Sequence, residues 1–369
     1  MDAPVEIARA GGRLWFPVFH RLDERRILCE ATVAEDRTQG EWPAAFFLSP
    51  DGGASWSHWA DVPCWGPASV PLGAGKLLLQ PYELWPLSPA ERRGARAEGT
   101  LVTCDPAGRP QCTRAPVTYH DFPRDIRLYD NQKETQGQLF VGTGFNMLPL
   151  PDGRILSSIH CKFEGDKRFS LCAVVSGDQG FTWRYLSVVA GAGTAPEPTE
   201  GPNEADIVRL DDGRLMCVFR VAMRRPFWVS TSADNGASWS LPVERPEIAS
   251  VKPQLLRLSD GTVLLSGGRE GIFLWISRDD GREWQRVDLV AHHNAHASSG
   301  QRYPEGYPNG VAPFPVSPTT SYTSLLAAGP DECLLSYDRL ANGWKAAPGP
   351  YGKENTLFCV RIRVTKAGG

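Results

Sequence analysis

The sequence predicts an all-β protein, a six-bladed β-propeller built from four-stranded antiparallel blades. Three observations predict this fold: a rich supply of turn residues and two interleaved repeats. The chain has 37 glycines and 31 prolines among 369 residues, whereas the two together make up roughly 12% of an average protein. Many tight turns between short strands are therefore expected.

The first repeat is an octamer with the pattern Ser-x-Asp-x-Gly-x-x-Trp, called here the Asp-box. The Asp carboxylate can accept backbone N–H groups of its own turn, the Gly can adopt a positive φ, and the Trp can pack under a hairpin. Each box therefore predicts a β-hairpin. The four copies are Ser49–Trp56, Ser176–Trp183, Ser232–Trp239 and Ser277–Trp284.

The second repeat is a tight turn that lies upstream of each box and resembles Leu-x-Asp-Gly-Arg-Leu. Its apolar, β-prone flanks predict a hairpin at each copy. A degenerate box at 103–108 and a final strand at 356–364 complete the series, so six units of two hairpins are expected. The copies are Leu22–Ile27, Leu72–Leu77, Leu150–Ile155, Leu210–Leu215, Leu258–Val263 and Ala328–Cys333.

These units define one domain over residues 1–369, with a short N-terminal strand before the first blade. A helix is predicted only at 88–93, where Ser88 is a suitable N-cap. Residues 291–318 have no strand pattern and predict a long loop with a functional or lid role. The predicted blades span residues 14–60, 65–115, 140–190, 200–245, 250–290 and 320–365.

Composition excludes several classes of function. The net charge of −3 provides no basic field for nucleic acid, and no apolar run approaches the roughly 18 residues of a membrane helix. The nine cysteines form no C-x-x-C pair and follow no export signal, so reduced thiols in a cytoplasmic protein are expected. We expect no cofactor, no metal site, and a small molecule or glycan as the partner. The oligomeric state stays open.

The Asp-boxes, their placement and the six predicted blades resemble the sialidase superfamily of glycoside hydrolases. That resemblance implies that the boxes are structural and that the active site lies at the opposite ends of the strands. It also implies a tyrosine nucleophile, which is a poor nucleophile until a nearby Glu takes its proton. A cluster of arginines would bind the carboxylate of the sugar through forked hydrogen bonds.

The resemblance assigns these roles to particular residues. Glu204, in Asn-Glu-Ala, matches the activating Glu, and Tyr322, in Ser-Tyr-Thr-Ser-Leu, matches the nucleophile. Arg220, sixteen residues after Glu204, and Arg269 match two of the sugar-binding arginines. Trp15 stands where the family has its first arginine, which favours a less acidic or an aromatic-stacked ligand. In the alternative interpretation, Glu204 is a structural carboxylate paired with Arg220, and Tyr322 is a packing or hydrogen-bonding residue rather than a nucleophile.

Other side chains are further candidates. Asp36, or its neighbour Glu35, and His160 are candidate general acids. Arg339 either pairs with Asp338 or lines the rim of the site, where it could contact ligand. Trp15 and Trp65 could form a stacking platform for a sugar. The run of histidines at 292, 293 and 296 lacks a third ligand at a known distance and any helix signal, so a mobile loop is preferred to a metal site.

Three functions are compatible with these residues. The leading one is a sialidase-like hydrolase of an acidic or polar glycoside, using the Tyr322–Glu204 pair with Arg220 and Arg269 as anion clamps. The alternatives are a non-catalytic carbohydrate- or ligand-binding propeller and a cytoplasmic enzyme acting on a non-sugar metabolite. Hydrolysis requires an acid such as Asp36 or His160 near the leaving group, a lectin requires stacking Trp residues without that acid, and metabolite chemistry requires a lid.

Overall fold

A computed structural model describes residues 1–36, 42–63, 65–88, 90–105, 109–126, 142–223, 225–308, 317–341, 343 and 354–365. Within these ranges the chain forms strands, numbered below in chain order, and one α-helix. It divides into two compact units. The first unit comprises Met1–Glu35, Trp42–Pro63 and Gln254–Gly369, and the second comprises Asp36–Glu41 and Cys64–Pro253. This division does not test the predicted single domain, which stays a prediction.

Three four-stranded antiparallel sheets make up the first unit. In one of them the N-terminal strand β1 lies beside the last strand, giving the order β1-β26-β25-β24. Its strands are β1 (Val5–Ala10), β24 (Ser324–Ala327), β25 (Glu332–Arg339) and β26 (Asn355–Arg363). The next is β2 (Trp15–Arg21), β3 (Ile27–Thr32), β4 (Ala44–Ser49) and β5 (Ser57–Val62). The third is β20 (Gln254–Arg257), β21 (Val263–Gly267), β22 (Phe273–Ser277) and β23 (Gln285–Asp288).

The second unit contains one four-stranded sheet and one ten-stranded sheet. The four-stranded sheet is β16 (Asn203–Arg209), β17 (Leu215–Arg220), β18 (Pro226–Ser232) and β19 (Val243–Ala249). The ten-stranded sheet starts with β6 (Ala68–Gly73), β7 (Lys76–Gln80), β8 (Trp85–Pro86), β9 (Ala95–Cys104) and β10 (Pro110–His120). It continues with β11 (Gly142–Thr143), β12 (Leu148–Pro149), β13 (Ile155–Cys161), β14 (Ser170–Ser176) and β15 (Thr182–Ala190).

The prediction of six separate blades is not confirmed. Four sheets have the predicted four-stranded form, whereas β6 to β15 belong to one sheet in which β10 and β15 pair in parallel. This parallel pair joins Thr118 to Thr182 and His120 to Arg184, and the strands on either side of it pair antiparallel. The all-β prediction is confirmed.

The predicted hairpins are present at both repeats. All six copies of the second repeat connect antiparallel strands, and the four Asp-boxes lie between the third and fourth strands of their sets. In the box at 232–239, Ser232 Oγ and the Ser238 N–H both donate to Asp234 Oδ1, at 2.8 and 2.9 Å. Gly236 has a φ of 89°, and its carbonyl accepts the Trp239 indole N–H at 3.1 Å. Each box is therefore held by its own side chains.

In each four-stranded sheet one edge strand, β5, β19, β23 or β1, is the most exposed strand. Strand β16 is buried at six of its seven residues, whereas β19 has one buried residue. The same contrast holds between β2 and β5 and between β20 and β23. The apolar first strands are covered on both faces, so a polar side chain at the end of a first strand is buried too.

The predicted helix at 88–93 is wrong for the described residues of that segment; Pro89 lies outside them. The Glu91 N–H does bond Ser88 Oγ at 3.0 Å, as at a helix N-cap. The carbonyls of Arg92 and Arg93, however, accept the N–H groups of Ile126 and Phe122. These bonds to a distant segment replace the helical i to i+4 bonds.

A helix forms instead at the start of the predicted loop. Helix α1 (Leu289–His296) is capped by Asp288, whose carboxylate accepts the N–H groups of Val290 and Ala291. The following residues also pack on the first unit, because Tyr303 and Tyr307 are buried in its core. The prediction of a mobile loop is thus wrong for residues 291–308, and residues 309–316 lie outside the described part.

Two predictions from composition concern thiols and membranes. The eight cysteines in the described ranges are free thiols, and six of them are buried; Cys64 lies outside these ranges. No helix among the described residues combines the length and the apolar character that crossing a membrane requires.

Candidate functional site

Glu204 and Arg220 meet at one end of the β16–β19 sheet. The antiparallel register places Asn203, at the start of β16, opposite Arg220, at the end of β17. Arg220 Nε lies 2.9 Å from Glu204 Oε2 and donates to Asn203 Oδ1 at 2.7 Å. A terminal nitrogen of the same guanidinium lies 3.2 Å from Glu200 Oε2. The structure thus brings together two predicted site residues, as an ion pair.

The backbone turns Glu204 toward this pair and holds it there. A β-bulge lies between Asn203 and Ala205, and Glu204 has a φ of 33°, a conformation that non-glycine residues rarely adopt. Its side chain is 3% exposed. The Lys252 N–H donates to Glu204 Oε2 at 3.0 Å. One carboxylate oxygen is therefore fixed by a guanidinium and a backbone amide from different parts of the chain.

Tyr82, whose ring lies near those of Trp65 and His160 and whose pKa responds to the charges of Glu204 and Arg220, was not predicted. It lies just after the end of β7, the second strand of its set, as Arg220 ends the second strand β17, so the same topological rule could have found it. Thr143 holds its loop, because the Thr143 N–H donates to the Tyr82 carbonyl at 3.1 Å. Burial raises the pKa of Tyr82 well above its ordinary value, and the negative charge of Glu204 raises it further. At neutral pH the phenol is therefore an O–H donor.

His160, at the end of β13, belongs to the same group of side chains. Its ring lies 6.3 Å from that of Tyr82 and 5.0 Å from that of Phe169, and the residue is 3% exposed. Burial lowers the pKa of His160 to about 4, although the charge of Glu204 opposes this. The predicted role as an imidazolium acid is therefore disfavoured at neutral pH. Gly142 allows the ring this position, because a Cβ there would lie 2.0 Å from His160 Cε1.

Asp36 is the remaining predicted acid in the second unit. It is exposed, and its negative charge is one of the causes that raise the pKa of Tyr82, after burial and Glu204. Asp36, Tyr82, His160, Glu204 and Arg220 are called the second-unit cluster below. It combines two carboxylates, a guanidinium, a protonated phenol and a neutral imidazole.

Tyr322 and Arg269 lie in the first unit. The Tyr322 ring packs edge-on against Phe16, with centroids 4.8 Å apart, and the Arg269 guanidinium lies 5.9 Å from the Tyr322 ring centre. Arg269 also donates to the Thr320 carbonyl at 2.9 Å. The loop before Tyr322 is anchored by the fully buried Asp338, which accepts the Thr320 N–H at 2.7 Å. The structure therefore brings the predicted nucleophile and an arginine together.

The structure corrects two assignments in the first unit. Trp15 is 1% exposed and its indole N–H donates to the Ala34 carbonyl at 3.0 Å, so its ring is not available for stacking on a ligand. Arg339 does not pair with the carboxylate of Asp338, because adjacent residues of β25 point to opposite faces. Its guanidinium donates to backbone carbonyls and lies 5.4 Å from the Tyr303 ring centre. It serves packing, and burial lowers its pKa.

Trp65, the other candidate for a stacking platform, is also buried. It is 3% exposed and packs edge-on against Tyr82, with ring centres 5.8 Å apart. Trp65 therefore supports the second-unit cluster from within rather than offering a free ring face.

The histidines of α1 bond to protein groups. His292 and His296 share one helix face, with ring centres 4.4 Å apart, and bond the carbonyls of Asp2 and His292. His293 is fully buried and lies 2.9 Å from the Tyr337 hydroxyl. Among the described residues, no group of three potential ligands is arranged to hold a metal ion.

Comparison with known proteins gives one family match and many similar structures. A model of the BNR repeat-like domain family matches residues 128–329. No curated protein matches the chain.

Among solved structures, similar ones include the Hadza microbial sialidase Hz136, at 14% identity and a TM-score of 0.60. That match covers 95% of this chain but 65% of the sialidase, so the chain spans just under two thirds of its length. The α-L-arabinofuranosidase Arb93A of Fusarium graminearum is 12% identical, with a TM-score of 0.60 and 98% of both chains covered. The α-L-arabinanase of Penicillium chrysogenum is 12% identical, with a TM-score of 0.58 and 97% of both chains covered. At these identities the likeness establishes the fold, an all-β propeller.

Proposed function

Because the chain belongs to the BNR repeat-like domain family, we propose that it is a glycoside hydrolase with its reactive carboxylate at Glu204. The similar structures support the reaction class, since their names are those of a sialidase, an arabinofuranosidase and an arabinanase. The second-unit cluster supports the residue assignment. The observation that carries the proposal is the buried carboxylate of Glu204, which the Arg220 guanidinium and the Lys252 N–H hold in place.

Glu204 is proposed as the base or nucleophile. Its carboxylate is held by Arg220 and the Lys252 N–H, and a reacting group needs such fixed geometry first. Asp36 is proposed as the proton donor to the leaving group. Most glycoside hydrolases use two carboxyl groups in different environments, and here one is buried and the other exposed. Tyr82, protonated at neutral pH, would donate a hydrogen bond to the sugar.

A second assignment within the same reaction class uses Tyr322 as the nucleophile, as the resemblance to sialidases implies. The nearby Arg269 guanidinium favours it, because a positive charge stabilises a developing phenolate. In that assignment Arg269 binds an anionic group of the substrate. The two assignments differ in whether the Tyr322 hydroxyl is essential for turnover.

The same proposal includes the predicted six blades. The parallel contact of β10 with β15 spans three residue pairs, and each side of it has its own copy of the second repeat. We take the two sides as two blades joined at their outer strands. Together with the four separate sheets they make six.

The test is hydrolysis of a panel of 4-nitrophenyl glycosides by the wild type and by Tyr82→Phe, Tyr322→Phe and Asp36→Asn. Methyl glycosides of the same sugars are added because their leaving group is poor, and for these the leading assignment predicts that Asp36→Asn loses turnover by about 100-fold or more. Tyr82→Phe should lower turnover less, and Tyr322→Phe should leave it near wild type. Loss of all turnover in Tyr322→Phe alone would favour the second assignment. Sugar binding without turnover of any glycoside would instead support a non-catalytic carbohydrate-binding protein.

A further inference from the structure

We infer that the second-unit cluster binds an uncharged sugar, and that Arg220 orients Glu204 rather than clamping a carboxylate of the ligand. This inference rests on the proposed function, because it names the substrate class of the same site. Its starting point is the set of partners that Arg220 already has.

Arg220 is engaged by two carboxylates and an amide. Its Nε faces Glu204 Oε2 at 2.9 Å and Asn203 Oδ1 at 2.7 Å, and a terminal nitrogen faces Glu200 Oε2 at 3.2 Å. A bidentate clamp on a ligand carboxylate uses two parallel N–H groups of the guanidinium. Here the positive charge is already shared by two negative groups of the protein, so a third carboxylate would meet net repulsion.

Several hydrogen bonds hold the residues around Arg220 in place. Asn203 is 1% exposed, and its side-chain amide donates to the Gly201 carbonyl at 2.9 Å and to Glu200 Oε2 at 3.3 Å. The Glu200 N–H bonds the Val221 carbonyl, beside Arg220 in the chain. Turning Arg220 toward a ligand would break several of these bonds together, whereas its present position holds Glu204.

Most of the charged groups that act on the Tyr82 hydroxyl are negative. Beyond the effect of burial, four charged groups act most strongly on its hydroxyl, and three of them are the carboxylates of Glu204, Asp36 and Glu83. The fourth is Arg220. His160 adds no positive charge at neutral pH, because burial lowers its pKa to about 4. A sugar that carries a carboxylate would therefore be repelled on this side as well.

The two ammonium groups of this region lie against aromatic rings. Lys252 Nζ lies 5.1 Å from the Phe145 ring centre, and the residue is 0% exposed, so a ligand cannot reach it. Lys162 Nζ lies 5.1 Å from the ring centre of Phe169. These cation–π contacts orient both ammonium groups toward rings of the protein.

The test compares matched pairs of sugars that differ only in one charge. The pairs are 4-nitrophenyl glucoside with glucuronide and 4-nitrophenyl galactoside with galacturonide, supplemented by an arabinofuranoside and a sialoside. Binding is measured by isothermal titration and turnover as kcat/KM. In the pair that binds, the neutral member should be favoured by about tenfold or more, equivalent to about 1.4 kcal/mol. An acidic member equal to or better than its neutral partner, or a panel without any neutral binder, would overturn the inference.

A second measurement uses the partner of Arg220. Glu200→Gln removes one negative charge and should lower the preference for neutral sugars several-fold by improving binding of the acidic members. Arg220→Gln should reduce kcat equally for both members of a pair, with little change in KM. Selective loss of the acidic member in Arg220→Gln would assign the clamp role and refute ours. Neutral sugars that bind without turnover would refute the proposed hydrolase while leaving the substrate class intact.

Discussion

The two ends of the β16–β19 sheet satisfy their carboxylates in opposite ways. At the turn end, Asp234 bonds residues two and four positions away, and these hydrogen bonds lower its pKa, that from Ser238 most strongly. At the other end, Glu204 bonds Arg220 and Lys252, the latter 48 positions away. A locally satisfied carboxylate stabilises a hairpin, whereas one held by distant groups beside a tyrosine can also react. Variants at the two ends should therefore separate stability from activity.

The largest effect is expected for Glu204→Gln. If its carboxylate is the reactive group, turnover should fall by about 1,000-fold, within the usual range for a general base or nucleophile. The matched control is Glu244→Gln, because Glu244 is an exposed carboxylate on β19 of the same sheet. Steady-state kinetics with the preferred 4-nitrophenyl glycoside measure both, and circular dichroism checks folding. Near-normal turnover in Glu204→Gln would show that Glu204 and Arg220 form only a structural ion pair.

A buried carboxylate in the first unit tests whether burial near the end of a strand always indicates a catalytic role. Asp338, near the end of β25, accepts hydrogen bonds from both the side chain and the N–H of Thr320 and from the Thr319 hydroxyl. Asp338→Ala leaves these donors unsatisfied, so the free energy of unfolding should fall by about 3 kcal/mol. Urea denaturation measures this, with the exposed Asp331→Ala as the control. A stable but inactive Asp338→Ala protein would assign Asp338 to the reaction instead.

The pH dependence of stability should identify His160 as a buried neutral group at the same strand ends. Its folded pKa of about 4 lies below the ordinary value of 6.5. Between these values the unfolded chain binds a proton that the folded chain does not, so stability falls as the pH is lowered from 6.5 toward 4. From pH 6.5 to 4.5 the loss from this group is about 2 kcal/mol. Urea denaturation of His160→Gln should show a correspondingly smaller loss, and an unchanged pH slope would contradict the assignment.

The smallest effect is expected at the turn end. Asp234→Ala removes the acceptor of the box at 232–239, and the free energy of unfolding should fall by about 1 kcal/mol, as for the loss of a helix cap. Turnover should stay near wild type because Asp234 lies at the end of the sheet away from Glu204. Thermal unfolding and kinetics on the same preparation measure both. A large loss of turnover with unchanged stability would contradict the division between the two ends.

The sequence predicted the turn end well because its contacts are local. The positions of Ser232, Asp234, Gly236 and Trp239 encode most bonds of the box, so the pattern predicts the hairpin. The pairing of Glu204 with Arg220 also followed, because the turn between β16 and β17 sets their register.

The rest of the site depends on contacts that no local pattern encodes. Tyr82 joins the cluster through a loop held by Thr143, far along the chain. Trp15 looked like a ligand-stacking ring because a sequence does not reveal which side chains cover it. The helix at 289–296 was missed although Asp288 is an N-cap residue, because its hydrophobic pattern is weak and its buried His293 packs on distant residues such as Tyr337 and Phe358. The prediction of six separate blades was not confirmed because β10 and β15, which belong to different repeats, pair with each other.

The pairing of β1 with β26 has a consequence for how the chain folds. Val5 of β1 pairs with Cys359 of β26, so the two strands come from nearly opposite ends of the described sequence. During synthesis at about 5–20 residues per second, β1 would wait tens of seconds for its neighbour, with its backbone groups open to other strands. Long-range pairing of this kind is slow and favours aggregation of incomplete chains. Folding yield should thus depend on chaperones that protect the first strand until the last one emerges.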